Sequence, residues 1–255
     1  MAVLSREHRD GWGVAVHDGS SPEEPSALED GWTVNKGIAC ASEDENFHSV
    51  ALGSRGETLI SHIRQRTVGV TSMENTHPFR RGRWVFAHNG TIKDIAYLRS
   101  SASAARLAEL GGETDSELFF AFLLTRLDEA GTQNPDLTIV ALTREVRARP
   151  DFGAFNFLLS DGNVTYAHRF GRTLFLLERG PEDVVRKTRE SHDGTIVQTP
   201  WSQRRQAIFV ASEQLTDEPW EAIADGMLLR IDSRPSPRWR LLAVIADTRA
   251  KEEVV

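Results

Sequence analysis

Asn89 and Gly90 are the residues with the clearest chemical potential; they follow the apolar run Trp84-Val85-Phe86 and precede a helical pattern. An Asn side-chain amide and a Gly backbone N–H are donors suited to an oxyanion, since no Cβ keeps a ligand away from the Gly amide. Losing one such donor typically raises a barrier by about 2.7–4 kcal/mol. Upstream, Arg64 ends Ser61-His62-Ile63-Arg64 and could grip a carboxylate in a two-pronged fork. His77 stands in Asn75-Thr76-His77-Pro78-Phe79, and Asp115 in Thr114-Asp115-Ser116-Glu117, where a carboxylate could hold an ammonium. Together these groups suit an amino-acid ligand and a developing negative oxygen. Each also has a plainer reading. His88-Asn89-Gly90 could be a turn closing a hairpin, and Arg64 a surface residue at a strand end. Asp115 could cap a helix starting near Ser116. His62 could be a satisfied core histidine, and His77 a loop residue.

The elements that must position these residues can be read from periodicity. Gly11 to His17 and Trp32 to Lys36 read as short strands flanking a Gly-, Ser-, Pro- and Glu-rich loop, and can form a hairpin. Cys40 to Leu52 carries a helical pattern, and Thr58 to Arg64 is a strand. Gln65 to Arg83 lacks periodicity and reads as a long loop, functional by its His, Asn and Thr content. Arg83 to His88 is the next strand, ending at the Ala87-His88-Asn89-Gly90 turn. One helical stripe then runs from Ile92 to Leu110, closed by Gly111-Gly112. Ser116 to Glu129 is the strongest helix, with Thr114 or Asp115 as its cap, and Leu137 to Arg149 is another. Beyond Pro150 the pattern turns β-rich: Phe155–Leu159, Val164–His168, Thr173–Leu177, Gly194–Val197, Ala207–Ala211, Gly226–Ile231 and Leu241–Ile245. No linker or repeat divides residues 1–255, which read as one domain.

Composition narrows the classes. The 255 residues are 40% hydrophobic and 26% charged, with a net charge of -7. An acidic surface repels phosphate backbones, which argues against nucleic acid as partner; the Arg80, Arg81 and Arg83 cluster is outweighed. One cysteine, Cys40, allows no disulfide framework. No run nears the roughly 20 apolar residues that span a bilayer, so a cytoplasmic protein is expected. Without an HExxH motif, a Cys-rich zinc set or a P-loop, no metal and no cofactor is expected.

Taken in order, five segments resemble the motifs of class II glutamine amidotransferases, most of all the stand-alone bacterial members. They are Asp10-Gly11-Trp12-Gly13; His62-Ile63-Arg64 with Thr67 and Gly69; Asn75-Thr76-His77-Pro78-Phe79; Ala87-His88-Asn89-Gly90; and Thr114-Asp115-Ser116-Glu117. The resemblance extends to Asn156-Phe157-Leu158-Leu159-Ser160-Asp161-Gly162 and Val210-Ala211-Ser212-Glu213, covering nearly the whole chain. It implies an α+β fold of the N-terminal nucleophile (Ntn) hydrolase type, a four-layer αββα sandwich with mostly antiparallel sheets. It also implies hydrolysis of a γ-glutamyl amide through a thioester, without a cofactor. By the same resemblance Arg64 would hold the α-carboxylate and Asp115 the α-amino group. Asn89 and Gly90 would form the oxyanion hole. Thr67 and His77 would stand with the substrate-binding residues in supporting roles, as would Trp12. The expected partner is a small molecule, glutamine or another γ-glutamyl compound. Any ammonia-accepting enzyme would be a separate chain, and self-association is left open.

The resemblance leaves one gap. The family's nucleophile is a cysteine directly after the initiator methionine, with its own α-amine, pKa ~7.7–8.0, as base. Position 2 here is Ala2. Cys40 has its nitrogen in a peptide bond and reads as a small buried hydrophobe; Ser5 is not terminal. The family also has a strand and a helix, roughly 30–40 residues, before the Asp-Gly-Trp-Gly segment, whereas Asp10 lies close to Met1. The expectation is therefore a native start upstream, at a Met-Cys, with the first strand and helix absent from this sequence. Two further readings share the same residues: a hydrolase of other small γ-glutamyl compounds, and a non-catalytic γ-glutamyl binding protein.

Overall fold

The structure is a computed structural model that describes residues 10–19, 29–65, 69–180, 189–190, 196–197 and 206–244. Strand β1 (Trp12–His17) is buried along its whole length, as a central strand must be. Its neighbours are β2 (Trp32–Gly37) and β3 (Thr58–Ile63), both antiparallel, in the order β2-β1-β3. Helix α1 (Glu45–Gly53) lies between β2 and β3 in sequence. Side chains alternate faces along a strand, and β1 uses both. Trp12, Val14 and Val16 pack on Ala41 and on Phe47 of α1. Ala15 faces the other way, joining Trp32 and Ile60 against a second sheet.

That second sheet has six strands. They are β4 (Phe79–Arg81), β5 (Trp84–Ile92), β6 (Gly153–Ser160), β7 (Val164–His168), β13 (Met227–Asp232) and β14 (Arg238–Val244), in the order β14-β13-β7-β6-β5-β4 with every pairing antiparallel. Between β7 and β13 come β8 (Phe175–Arg179), β9 (Arg189–Glu190), β10 (Ile196–Val197), β11 (Ala207–Ala211) and β12 (Glu221–Ala222). β9 and β10 pair with each other, and β11-β8-β12 is a three-stranded sheet. Leu176 of β8 packs on Ala167 and Leu229 of the six-stranded sheet. Leu158 touches this cluster and the Ala15 cluster alike, so both three-stranded sheets cover one face of the six-stranded sheet.

Its other face carries helices α2 (Ile95–Ser101), α3 (Ala104–Ala108), α4 (Asp115–Ala130) and α5 (Pro135–Arg147). Phe86, Phe155 and Phe157 from the sheet meet Phe119, Phe120, Phe122 and Leu123 from α4 there. Residues Asp115 to Thr125 of α4 are all buried, because the helix is enclosed by strands and by the neighbouring helices. Burying each such aromatic is worth about 1.5–3 kcal/mol. Helix, sheet, sheet, helix is the four-layer α+β sandwich expected.

Three details differ from the sequence reading. β5 does not stop at His88 but runs through Asn89-Gly90 to Ile92, paired with β6 throughout. The long loop from Gln65 to Arg83 holds a strand, β4, which Arg80 and Arg81 concealed. The stripe from Ile92 to Leu110 is two helices, because Ala102 is extended and Ser103 caps the second. The Ser103 hydroxyl takes the Arg106 N–H at 3.2 Å, and its own N–H goes to the Thr125 hydroxyl at 3.0 Å. Gly194, Thr195 and Ile245 lie outside the described residues, as do Thr67, Met1 and Ala2.

Candidate functional site

The site residues come from three layers. On β5, Val85 and Ala87 join the inter-sheet cluster, so the two-residue period puts Asn89 on that face. Asn89 is exposed there, at the end of the strand away from Trp84. Ile60 of β3 lies in the same cluster, so His62 and Arg64 continue on the inter-sheet side. Arg64 extends the ladder past β3, its N–H donating to the Gly11 carbonyl at 2.8 Å. Its guanidinium is buried, and Nη2 donates to the Val70 carbonyl at 3.1 Å.

The backbone of β5 sets the remaining geometry. The Ile92 N–H donates to Asp115 Oδ2 at 2.7 Å, while the Lys93 N–H turns to the Phe152 carbonyl, on the β6 side, at 2.9 Å. Backbone groups alternate direction along a strand, so the Gly90 N–H points where that of Ile92 does. It faces away from β6, toward the Asp115 side. β4 pairs only as far as Phe86, and among the described residues no strand occupies that edge beyond it. Phe155, opposite Gly90, sends its own N–H to Phe170 at 3.0 Å. Glycine is required at position 90: a Cβ there would lie 2.0 Å from the Ala154 carbonyl oxygen and 2.9 Å from His88 Nε2.

Asp115 is not the helix cap. Thr114 caps α4, its hydroxyl accepting from the Glu117 N–H at 3.2 Å. Asp115 is left in the first turn, where the helix dipole favours negative charge. It is buried and contacts β5 through one oxygen. Next to it, His88 bridges Ser116 Oγ (Nδ1, 2.8 Å) and the Ala154 carbonyl (Nε2, 3.2 Å). A carbonyl only accepts, which assigns the proton to Nε2 and makes the Ser116 hydroxyl the donor to Nδ1. Burial lowers the His88 pKa, with Asp115 and the Ala154 carbonyl opposing it, so the ring is neutral.

His77 stands between these segments. Its ring centroid is 4.3 Å from that of His62 and 4.5 Å from that of Phe79. Burial, then His62, His88, Lys36 and Arg64, hold its pKa well below the usual value. Neither ring nitrogen has a hydrogen-bond partner among the described residues. It is a neutral wall behind the site. Trp12 is a core residue: its indole N–H reaches Asp44 Oδ2 at 2.7 Å and its ring packs edge-on to Phe47. Cys40 is buried with its sulfur 3.1 Å from the Ser42 hydroxyl. Among the described residues no three His, Cys, Asp or Glu side chains gather as a metal-binding group, and no helix is long and apolar enough to cross a membrane.

Sequence reasoning missed Asn75, Glu117 and Lys36. Asn75 and Glu117 are buried and cross-link the loops that lead to Arg64 and Asp115. Lys36 lies over the Phe79 ring, 5.2 Å from its centroid, and donates to the Met73 carbonyl at 3.4 Å. Burial, partly offset by Glu117, takes its pKa down to about 8. Glu117 left a local signal as the fourth residue of a Thr-x-x-Glu capping pattern, and Asn75 stood in the Asn75-Thr76-His77-Pro78-Phe79 segment without its partners being readable.

A model of the class II glutamine amidotransferases matches residues 2–236. A putative glutamine amidotransferase of Escherichia coli, YafJ, is 30% identical over 236 residues, covering 86% of this chain and 83% of the relative. A gamma-glutamyl-hercynylcysteine sulfoxide hydrolase of Mycobacterium tuberculosis is 31% identical over 172 residues, 67% of this chain and 63% of that one. The crystal structure of a predicted glutamine amidotransferase from Pseudomonas aeruginosa superposes with a TM-score of 0.58 at 26% identity, over 92% of this chain and 88% of the other. This chain therefore belongs to the class II glutamine amidotransferases, with their Ntn-hydrolase architecture.

Proposed function

We propose that the site recognises the γ-glutamyl group of glutamine or of a related small γ-glutamyl compound. Arg64 grips the α-carboxylate, Asp115 takes the α-ammonium, and the Asn89 amide with the Gly90 N–H receives the γ-carbonyl oxygen. His77, and Thr67 beside it in the motif order, support the pocket without reacting. The observation that carries this reading is the shared edge of β5. The Gly90 N–H points to the side on which Asp115 holds Ile92, and Asn89 opens on the inter-sheet face that also holds Arg64. In this reading an anion, a cation and two oxyanion donors border one space, which would match a zwitterionic amino acid with a reactive side-chain amide. Burial strengthens each charged contact by excluding water.

The reaction that fits is attack of a terminal cysteine thiolate on the γ-carbonyl, giving a thioester that water hydrolyses. Position 2 of this sequence is alanine, so recognition is the half that this chain can test directly. Water would take the glutamyl group from the thioester, and the ammonia released would pass to a separate enzyme or be lost to solvent. The mycobacterial relative, named as a hydrolase of a γ-glutamyl compound, favours a second substrate reading, a γ-glutamyl compound other than glutamine. Calorimetric titration of the chain with L-glutamine, D-glutamine and a small panel of γ-glutamyl amides tests both. Saturable binding of an L-γ-glutamyl compound that Arg64→Lys weakens is expected. A folded protein that binds none of them at millimolar concentration rejects the site.

A further inference from the structure

Asn75 is buried and makes two side-chain bonds in opposite directions. Its Nδ2 donates to the Val70 carbonyl at 3.0 Å, and its Oδ1 accepts the Glu113 N–H at 2.8 Å. The Val70 carbonyl is the one that Arg64 Nη2 also meets. Glu113 lies two residues before Asp115. One amide thus links the loop that orients the guanidinium to the turn that delivers the carboxylate. The far turn is held hard against it. Gly111 and Gly112 donate to Glu117 Oε1 and Oε2 at 3.0 and 2.7 Å, and Arg81 Nη2 meets the same carboxylate at 2.6 Å. A Cβ on Gly112 would lie 2.2 Å from Asn75 Oδ1, so Asn75 fills this gap without slack.

We propose that Asn75 is a positioning residue that fixes the spacing between Arg64 and Asp115, and so sets the site's preference for ligands carrying both an α-carboxylate and an α-ammonium. The inference rests on the proposed roles of Arg64 and Asp115. The chemistry of the amide is specific to the task. From one planar group the amide gives the Val70 carbonyl a donor beside Arg64 Nη2 and gives the Glu113 N–H its acceptor. Aspartate keeps the acceptor and loses the donor; alanine loses both. A rigid spacing favours a two-ended ligand because its second contact costs no further ordering.

Two measurements on the full chain separate this inference from the reading it rests on. Hydrogen exchange of the ligand-free protein comes first. Asn75→Ala should speed exchange in 69–76 and in 111–114 together, and Asn75→Asp in 69–76 while Glu113 stays protected. Calorimetry comes second, with L-glutamine and with 4-carbamoylbutanoate, which lacks the α-amino group. Asn75→Ala should cost about tenfold in affinity for L-glutamine and about threefold or less for the analogue, the range of coupling between groups sharing a network. Exchange that rises in one segment alone, or equal losses for both ligands, overturns the strut. Failure of the unsubstituted protein to bind any γ-glutamyl compound removes the proposed function instead, and the exchange pattern still decides whether Asn75 couples the two loops.

Discussion

The substitution Asp115→Asn removes one charge and little else. The new amide would keep an oxygen for the Ile92 N–H, now 2.7 Å from Asp115 Oδ2, and its volume suits the buried first turn of α4. On the proposed reading the lost interaction is the charge-assisted bond to a ligand α-ammonium. Hydrogen bonds to charged groups contribute about 1.5–3 kcal/mol, and about 1.4 kcal/mol is tenfold in affinity. Affinity for L-glutamine should therefore drop by about 10- to 150-fold. Loss of a carboxylate near the helix N-terminus adds a stability cost of about 0.3–1 kcal/mol, too small to unfold the chain. The assay is calorimetry with L-glutamine and with 4-carbamoylbutanoate, alongside a urea melt. The analogue has no ammonium, so its affinity should stay level or improve as the unpaired carboxylate is removed. Equal loss for both ligands would show that Asp115 shapes the pocket and does not read the amino group, and the assignment would be withdrawn.

Gly90→Ala forces β5 off β6, since its Cβ would meet the Ala154 oxygen at 2.0 Å. An overpacking cost of about 1–3 kcal/mol and loss of γ-glutamyl binding are expected, checked by chemical denaturation and calorimetry. His168 is buried among Phe155 and Phe157, and burial takes its pKa down to about 3. Below an unfolded value near ~6.5 the unfolded chain binds the proton and the folded chain does not, so stability falls with falling pH at about 1.4 kcal/mol per unit. Between about pH 6.5 and 4.5 the loss from this residue is about 2 kcal/mol. His77, also held low by burial first, adds to the same slope. His168→Gln should flatten the dependence of the denaturation midpoint on pH in that window, and an unchanged slope would reject the burial argument. Phe119→Ala, at the centre of the helix-facing core, should cost about 3–5 kcal/mol in the same melts.

Much of the fold was legible because its strands obey a simple period. β7 and β11 fall on the residues that alternation and turn signals indicate. α4 was legible from its apolar positions, although it is buried almost all round. The error at Asn89-Gly90 is instructive. Asn-Gly is a strong hairpin-turn signal, yet Thr91-Ile92 continues a β-compatible run and β6 pairs with it to the end. Long-range pairing overrode local turn propensity. Gly90 is glycine because of Ala154 beside it, and no property of residues 87 to 92 reveals that neighbour. Asn75 shows the same limit. It stood inside a recognised motif, but its bond to Glu113 spans 38 residues, and only the folded chain pairs them.

The site residues occupy the margins of different layers: Arg64 beyond an outer strand, Asn89 and Gly90 near the end of an inner one, Asp115 in the first turn of a helix. Their spacing is therefore set by how the layers pack and by the braces between them. Between the sheets the contact is made by Ala15, Ala87, Val85 and Ile60 together with the large ring of Trp32, which join β1, β2 and β3 to β5. Between sheet and helix it is made by stacked rings, with Phe86 and Phe120 centroids 5.0 Å apart and nearly parallel. Neither interface reaches the polar end, where His88 with Ser116, Asp115 with Ile92, and Asn75 with Glu113 and Val70 take over. Apolar packing alone would leave that end free to shift by the fraction of an ångström that would ruin the proposed two-ended grip on a small zwitterion. Directional bonds tie strand, helix and loop at that margin. This explains why the polar motifs cluster in sequence around the site while the apolar pattern that builds the layers runs through the rest of the chain.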